Sequence, residues 1–217
     1  IMKLMGSYRS PYVRRTAVSL NVMGIAYEHD PVAVFDNQDD VRPHNPLIRV
    51  PTLILDDGES LVESYAILDA LDEMAGDAKR LTPASGAERR KVMKMTAIAS
   101  GTMDKTVWAA YEGRFHPKEK VHRPWVEHNE EQALGGLGYL DGLAKAAGGD
   151  GWFAGGDRMS QADISGAVAF SFAALARPRL EVADKFPNLA AFSARCDFFS
   201  NFWGAPSMRA HIRALQD

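Results

Sequence analysis

The chain reads as two parts, a small mixed α/β unit over residues 1–76 and an all-helical part over 88–217, joined by a polar linker at 77–87. Three observations predict this. The first 76 residues run strand–helix–strand and then strand–strand–helix, with turn signals between the pieces. Residues 77–87 are polar and hold Pro83 and Gly86, as linkers do. Beyond them no convincing strand pattern occurs. A strand–helix–strand unit needs a crossover and so pairs in parallel, whereas a hairpin pairs antiparallel; together they make a mixed sheet with helices packed on it.

Each element has a local reason. Lys3-Leu4-Met5-Gly6-Ser7 is a short strand candidate. Ser10-Pro11 carries two helix-start signals, and Val13, Ala17, Val18 and Leu20 form the apolar stripe of a helix ending near Gly24. Residues 26–34 read as a second strand, and 35–46 as a polar loop with room for one helical turn. Thr52–Leu55 and Glu59–Val62 form a hairpin across Asp56-Asp57-Gly58. Ile67, Leu68, Leu71 and Met74 then face one way on a helix that stops at Gly76.

In the helical part, residues 88–115 predict one long helix with Met93, Ala97, Ser100, Asp104, Val107 and Tyr111 on a common inward face. Residues 125–147 predict a second, packed through Leu134, Leu137, Leu140 and Leu143. The glycine-rich loop 148–156 breaks the pattern. Ser160-Gln161-Ala162-Asp163 has capping-box spacing, flanked by Met159 and Ile164 as a hydrophobic staple, and opens an apolar helix through Ala176. It is a folding device without chemistry. A last helix begins at Pro187 and runs to Phe199.

Composition sets bounds. The 217 residues carry 25 Lys+Arg against 28 Asp+Glu, a net charge of −3, which argues against nucleic acid as main partner. With 46% hydrophobic and 24% charged residues the balance is that of a soluble globular protein. The single Cys196 excludes an internal disulfide, fits a reducing compartment and sits in an apolar stretch as a core residue. No apolar run reaches the roughly 18 residues of a membrane span. Residues 1–6 are too short in apolar content for a signal peptide, and Ile1 ahead of Met2 reads as a processing remnant. A cytoplasmic protein is expected. His116, His122 and His128 share no helix face and have no Cys pair beside them, so no metal site is expected. The glycine-rich loop lacks the lysine and preceding strand of a phosphate loop, so no nucleotide is expected either.

The most informative residues are Arg49-Val50-Pro51-Thr52 and Glu63-Ser64. A proline at a strand entrance marks an edge, a bulge or a cis bond, and a cis bond would turn the Val50 N–H and C=O outward. Glu63-Ser64 opens a helix, whose start offers N–H groups and a partial positive charge to a carboxylate. Together they read as a peptide-binding edge beside an anion site.

These residues, with Gly6-Ser7-Tyr8-Arg9-Ser10-Pro11-Tyr12-Val13-Arg14, Asn45-Pro46-Leu47-Ile48 and Ser160-Gln161-Ala162-Asp163-Ile164, resemble the cytosolic glutathione S-transferases. The wording of the first segment is most similar to bacterial serine-type members with Ser-Pro at the start of the first helix. The resemblance covers nearly the whole chain, in order. It implies a thioredoxin-like domain, an all-helical domain lining a second-substrate cleft, glutathione as co-substrate and detoxifying conjugation by a homodimer.

By that resemblance Pro51 is cis, Val50 pairs with the cysteinyl part of glutathione, and Glu63 and Ser64 hold the γ-glutamyl ammonium and carboxylate. Ser10 is the first candidate for stabilising the thiolate; Tyr8 and then Ser7 are its rivals. Ser rather than Cys at position 10 argues against disulfide exchange by the protein itself. Arg49 either reaches the glycyl carboxylate or is a solvated edge charge. Arg14 and Arg15 lie within the first helix, one of them expected to meet an acidic group at the domain interface. Asp104, Trp108 and Tyr111 are expected either as helix-bundle core or as lining for a small hydrophobic electrophile. Alternatives of other classes are a glutathione-dependent isomerase or dehalogenase, and a non-catalytic binding module.

Overall fold

The computed structural model describes residues 1–197 and Gly204. Within residues 1–84, β1 (Met2–Met5), β2 (Tyr27–Asp30), β3 (Thr52–Ile54) and β4 (Ser60–Val62) form one sheet in the order β2-β1-β3-β4. The β1–β2 pair is parallel, as its crossover demands, and the β3–β4 hairpin antiparallel, while β1 and β3 also pair antiparallel.

The crossover is α1 (Pro11–Met23), capped by Ser10 and closed by Gly24 in a left-handed conformation, with the Gly24 and Ile25 N–H groups donating back to Asn21 and Leu20. The second strand is shorter than the expected 26–34, because Pro31 has no N–H with which to continue the ladder. Val32 and Val34 instead fold back onto Met5 and Val41, with Ile48, Val50 and Ile54 around them. A single turn of helix, α2 (Gln38–Val41), supplies Val41. By alternation Leu4 and Leu53 point to the opposite sheet face, both fully buried, where α1 and α3 (Ser64–Ala75) pack on each other. The hairpin turns at Asp57-Gly58: Gly58 has φ +93°, its N–H donates to Leu55 O at 3.0 Å, and Glu59 N donates to the Asp57 carboxylate at 3.0 Å. Residues 77–84 are not a free tether. Asp72 on α3 accepts from Leu81 N at 2.6 Å and from Thr82 N, and both residues are buried.

The second unit, Ser85–Cys196, is helical throughout. Its frame is α4 (Gly86–Phe115), α5 (Arg123–Ala147) and α6 (Gln161–Ala176), with α7 (Val182–Lys185) and α8 (Pro187–Asp197) beyond. Residues 198 and 199 of the expected last helix, and the rest of the expected helical part apart from Gly204, lie outside the described residues.

The buried face of α4 corrects the expected one. Val92, Met95, Thr96, Ala99, Thr102, Met103, Thr106 and Ala109 pack inward, while Met93, Ala97, Ser100, Asp104, Val107 and Tyr111 are half-buried or exposed. Small and hydroxyl side chains win because the helices approach closely: a Cβ on Gly136 of α5 would meet Thr102 Oγ1 at 2.0 Å. Thr102 and Thr106 satisfy their own hydroxyls by donating to carbonyls one turn back, to Ile98 and Thr102 respectively, both at 2.8 Å, whereas among the described residues the buried Thr96 hydroxyl has no partner. On α5 Leu137 and Leu140 are buried as expected, and Leu134 and Leu143 half-buried. The buried Glu130 receives Arg177 and Arg179, tying α5 to the turn at Pro178–Leu180. Cys196 is fully buried.

α6 is apolar on every side and buried, so its start must satisfy its own polar groups. Asp163 accepts from Ser160 N at 2.8 Å, Ser160 Oγ at 2.7 Å and Phe153 N at 2.7 Å, which also anchors the preceding loop. Burial pushes the Asp163 carboxyl up, against the downward pull of those bonds. Asp163→Ala strands two buried N–H groups, and urea denaturation should show a loss of about 3 kcal/mol, against about 1 kcal/mol for Ser160→Ala.

Candidate functional site

The candidate site is built at one end of the sheet, where β1 passes into α1. At Gly6 the backbone adopts φ +129°, and an added Cβ would lie 2.5 Å from Val13 Cγ2 and 2.7 Å from Val50 Cβ. Both contacts are far inside van der Waals distance, so only glycine lets the start of α1 and the Val50 segment close on the strand end. Gly6 is further held by its neighbours: its N–H donates to Asp30 O at 2.8 Å, and His29 Nε2 lies 2.8 Å from its carbonyl.

The Val50-Pro51 peptide bond is cis. Its approach is shaped by Asn45, which is fully buried. The Asn45 amide donates to Arg49 O at 2.9 Å and Thr52 Oγ1 at 3.2 Å, and its carbonyl accepts from Leu47 N at 2.9 Å. Thr52 Oγ1 donates to Arg49 O at 3.0 Å. This network bends the chain through Ile48, at φ +51°, and delivers Val50 half-buried to the entrance of β3. Among the described residues nothing pairs with the Val50 N–H or C=O, so this backbone edge is open to an extended ligand.

Ser10 is half-buried at the head of α1. Its Oγ accepts from Val13 N at 3.3 Å, which leaves the hydroxyl proton to donate elsewhere. Ser7 Oγ accepts from Arg9 N at 3.2 Å. Tyr8 is different in kind. It is buried, stacked on His29 with centroids 3.8 Å apart, and its hydroxyl is 3.3 Å from that of Tyr27 on β2. Burial, and then Tyr27, push the Tyr8 phenol far above its ordinary value, so it stays protonated.

At the start of α3, Glu63 has φ +64° and ψ +119°, a sparsely populated conformation for a non-glycine residue that costs roughly 1–3 kcal/mol. The pair expected to meet the ligand's charges meets in part its own chain. Arg49 Nη1 is 2.7 Å from Glu63 Oε1, with both side chains about half exposed. Ser64 is buried, and its Oγ accepts from Arg15 Nε at 3.1 Å and Nη2 at 2.8 Å. Arg15 is buried in α1, with its guanidinium carbon 5.8 Å from the Tyr65 ring centroid. Burial lowers the neighbouring Arg14 to about 10, still a cation at neutral pH.

Ser7, Tyr8, Ser10, Arg49, Val50, Pro51, Glu63 and Ser64 thus all lie in the first unit. Asp104, Trp108 and Tyr111 lie on α4 of the second. Asp104 and Trp108 are exposed there and Tyr111 is half-buried, edge-to-face with Phe115 at 4.9 Å. The bundle-core alternative fails for all three, because the core face of α4 is the threonine-rich one. Gly6 and Asn45 shape the site although they entered only inside longer motifs, and Arg15, one of the two arginines of which one was expected to meet an acidic group, donates to the Ser64 hydroxyl. Asn before proline is a turn signal and glycine at a strand end marks close approach. A charge in a helix as buried as α1 needs a partner, but its spacing does not name one.

A mixed sheet with βαβ-ββα order, an open backbone edge at a cis-proline, and a serine-headed helix beside a second anion-suited helix start define a thioredoxin-like domain joined to helices. The models of the glutathione S-transferase N-terminal and C-terminal domains match residues 4–79 and 98–197. Maleylacetoacetate isomerase of Pseudomonas aeruginosa is 31% identical over 171 residues, 75% of this chain and 77% of that protein. The GST-like protein YibF of Escherichia coli K12 is 32% identical over 133 residues, a match spanning 61% of this chain and 61% of YibF's own length. Among solved structures, a glutathione S-transferase of Methylobacillus flagellatus with GSH bound superimposes with a TM-score of 0.84 at 28% identity, covering 97% of this chain and 98% of that one. The chain belongs to the glutathione S-transferase family.

Gly6→Ala tests the convergence on which the site is built. Thermal denaturation should report a loss of about 3 kcal/mol from the overlap and the backbone strain combined.

Proposed function

We propose that the protein binds glutathione along the Val50 edge and joins the glutathione sulfur to an electrophilic carbon of a small hydrophobic substrate. The observation that carries this is the grouping of unlike binding groups in one unit. An unengaged Val50 backbone, a cation and a carboxylate at Arg49 and Glu63, a buried hydroxyl at Ser64 and a second hydroxyl at Ser10 match the parts of a γ-glutamyl tripeptide. The glutathione bound in the Methylobacillus flagellatus relative supports the same ligand.

In this reading the cysteinyl backbone pairs with Val50, and Glu63 takes the γ-glutamyl ammonium while Ser64 takes its carboxylate. Arg49 turns to the glycyl carboxylate. The Arg49–Glu63 pair is half exposed and worth at most about 1 kcal/mol, so a zwitterion supplying both opposite charges opens it at little cost. Ser10 O–H donates to the sulfur. A free thiol titrates near about 8.5, and a donor beside the sulfur lowers that value and enlarges the thiolate fraction at neutral pH. With an aryl halide as electrophile, the thiolate forms a C–S bond, the C–halogen bond breaks with its electrons on the halide, and the thiol proton goes to solvent. Ser10 is favoured over Tyr8 because the Tyr8 phenol is buried beside Tyr27 and His29. On α4 the exposed Trp108 and the half-buried Tyr111 are the aromatic groups we assign to the electrophile, with Asp104 their charged neighbour. A cytoplasmic homodimer is the form in which we expect it to work.

A second reading is a glutathione-dependent isomerase, in which the thiolate adds to the substrate and leaves again. The maleylacetoacetate isomerase relative favours it. Turnover without glutathione consumption distinguishes it from conjugation.

Calorimetry with glutathione and conjugation of a model aryl halide test the assignment. Ser10→Ala should bind glutathione within about threefold of wild type and lose about 10²-fold in rate. The bound thiol's pKa rises in that variant, so the rising limb of the pH–rate profile moves to higher pH. Tyr8→Phe should leave both nearly unchanged. Full rate in Ser10→Ala with loss in Tyr8→Phe assigns the thiolate partner to tyrosine instead.

A further inference from the structure

We propose that Arg15 is a positioning residue that sets the polarity of the Ser64 site, making it accept a carboxylate and reject an ammonium; this rests on the glutathione reading above. A serine hydroxyl has one proton to donate and two lone pairs with which to accept. Arg15 donates to the same Ser64 oxygen twice, from Nε at 3.1 Å and from Nη2 at 2.8 Å. Both acceptor positions are therefore taken, and the hydroxyl is left as a donor only. A ligand ammonium facing Ser64 would bring donor against donor, whereas a carboxylate oxygen receives the one proton available.

The surroundings reinforce that polarity. Ser64 is the first residue of α3, whose twelve residues place the positive end of their dipole there. Glu63, one residue back, has the opposite preference. The two ends of a γ-glutamyl zwitterion are thereby assigned, carboxylate to Ser64 and ammonium to Glu63. Arg15 and Ser64 are both buried, so salt screens this arrangement far less than it screens Arg49–Glu63.

Arg15 also ties the anion site to the sulfur site. It stands five residues after Ser10 on α1, and a helix advances about 1.5 Å per residue as a rigid rod. One helix therefore carries the thiolate donor at its head and the guanidinium that orients Ser64 in its body. The distance between the two ends of the ligand is set by the helix and not by loops.

The test compares glutathione with 4-aminobutyryl-cysteinyl-glycine, which keeps the ammonium and lacks the γ-glutamyl α-carboxylate. Calorimetric affinities are measured for wild type, Arg15→Met and Arg15→Lys, with melting temperature and circular dichroism recorded for each. The preference of wild type for glutathione over the analogue should fall about tenfold in Arg15→Met, as expected for losing a charge-assisted orientation. In Arg15→Lys it should fall about threefold, since lysine keeps the charge and loses the two-donor fork. Affinity for the analogue itself should stay within about twofold in both. A loss of packing alone would weaken both ligands together and leave the ratio unmoved. A folded Arg15→Met or Arg15→Lys that retains the full wild-type preference overturns the proposal; if Arg15→Met does not fold, Arg15→Lys decides. Wild type that fails to bind glutathione overturns the glutathione reading itself and this inference with it, and that outcome is visible before any variant is compared.

Discussion

Val13 and Val50 approach Gly6 so closely that no side chain fits between them, and the candidate site depends on that approach. Val13 belongs to the first turn of the helix that Ser10 caps, and Val50 is the residue whose backbone edge is open. Their common contact at one strand end brings the hydroxyl and the peptide edge together without a loop of adjustable length between them. Asp30 and His29 hold Gly6 from the other side through its N–H and C=O. The second strand therefore supports the strand end at which the candidate site is built.

The charged groups divide by depth. Arg49 and Glu63 meet at the surface, where water competes with them and the pair is weak. Arg15 meets Ser64 where neither touches solvent appreciably, so salt and water weaken that contact far less. Glu63 carries an unfavourable backbone conformation that the surrounding structure maintains, with Ile67 N donating to its carbonyl at 3.0 Å to start the helix. Tyr8, in contrast, is built into the core. Its ring stacks on His29 and its hydroxyl faces Tyr27, which is the environment of a structural aromatic.

Features legible in the sequence were those with a local cause. Ser10-Pro11, Gly24, Asp57-Gly58, Gly76 and the Ser160–Asp163 box each act through backbone groups within a few residues, and each stands where its chemistry placed it. The inward face of α4 was not legible, because hydroxyl side chains at Thr96, Thr102 and Thr106 stand among its buried residues, and the close approach that favours one of them, Gly136 against Thr102, is a tertiary contact. The end of β2 was not legible either: Pro31 stops it, and the apolar Val32 and Val34 beyond it serve a core cluster instead of the sheet.

Local chemistry in the sequence determined the order of elements, the caps and turns that bound them, and the residue types suited to a peptide, a carboxylate and a thiol. Only the tertiary structure decided which of these groups meet. Arg15 and Ser64 are 49 positions apart, and Asn45 reaches Arg49 and Thr52 only once the chain between them has bent. Such pairings depend on how helices and strands pack, since a guanidinium or an amide carries no periodic signal that names its distant partner.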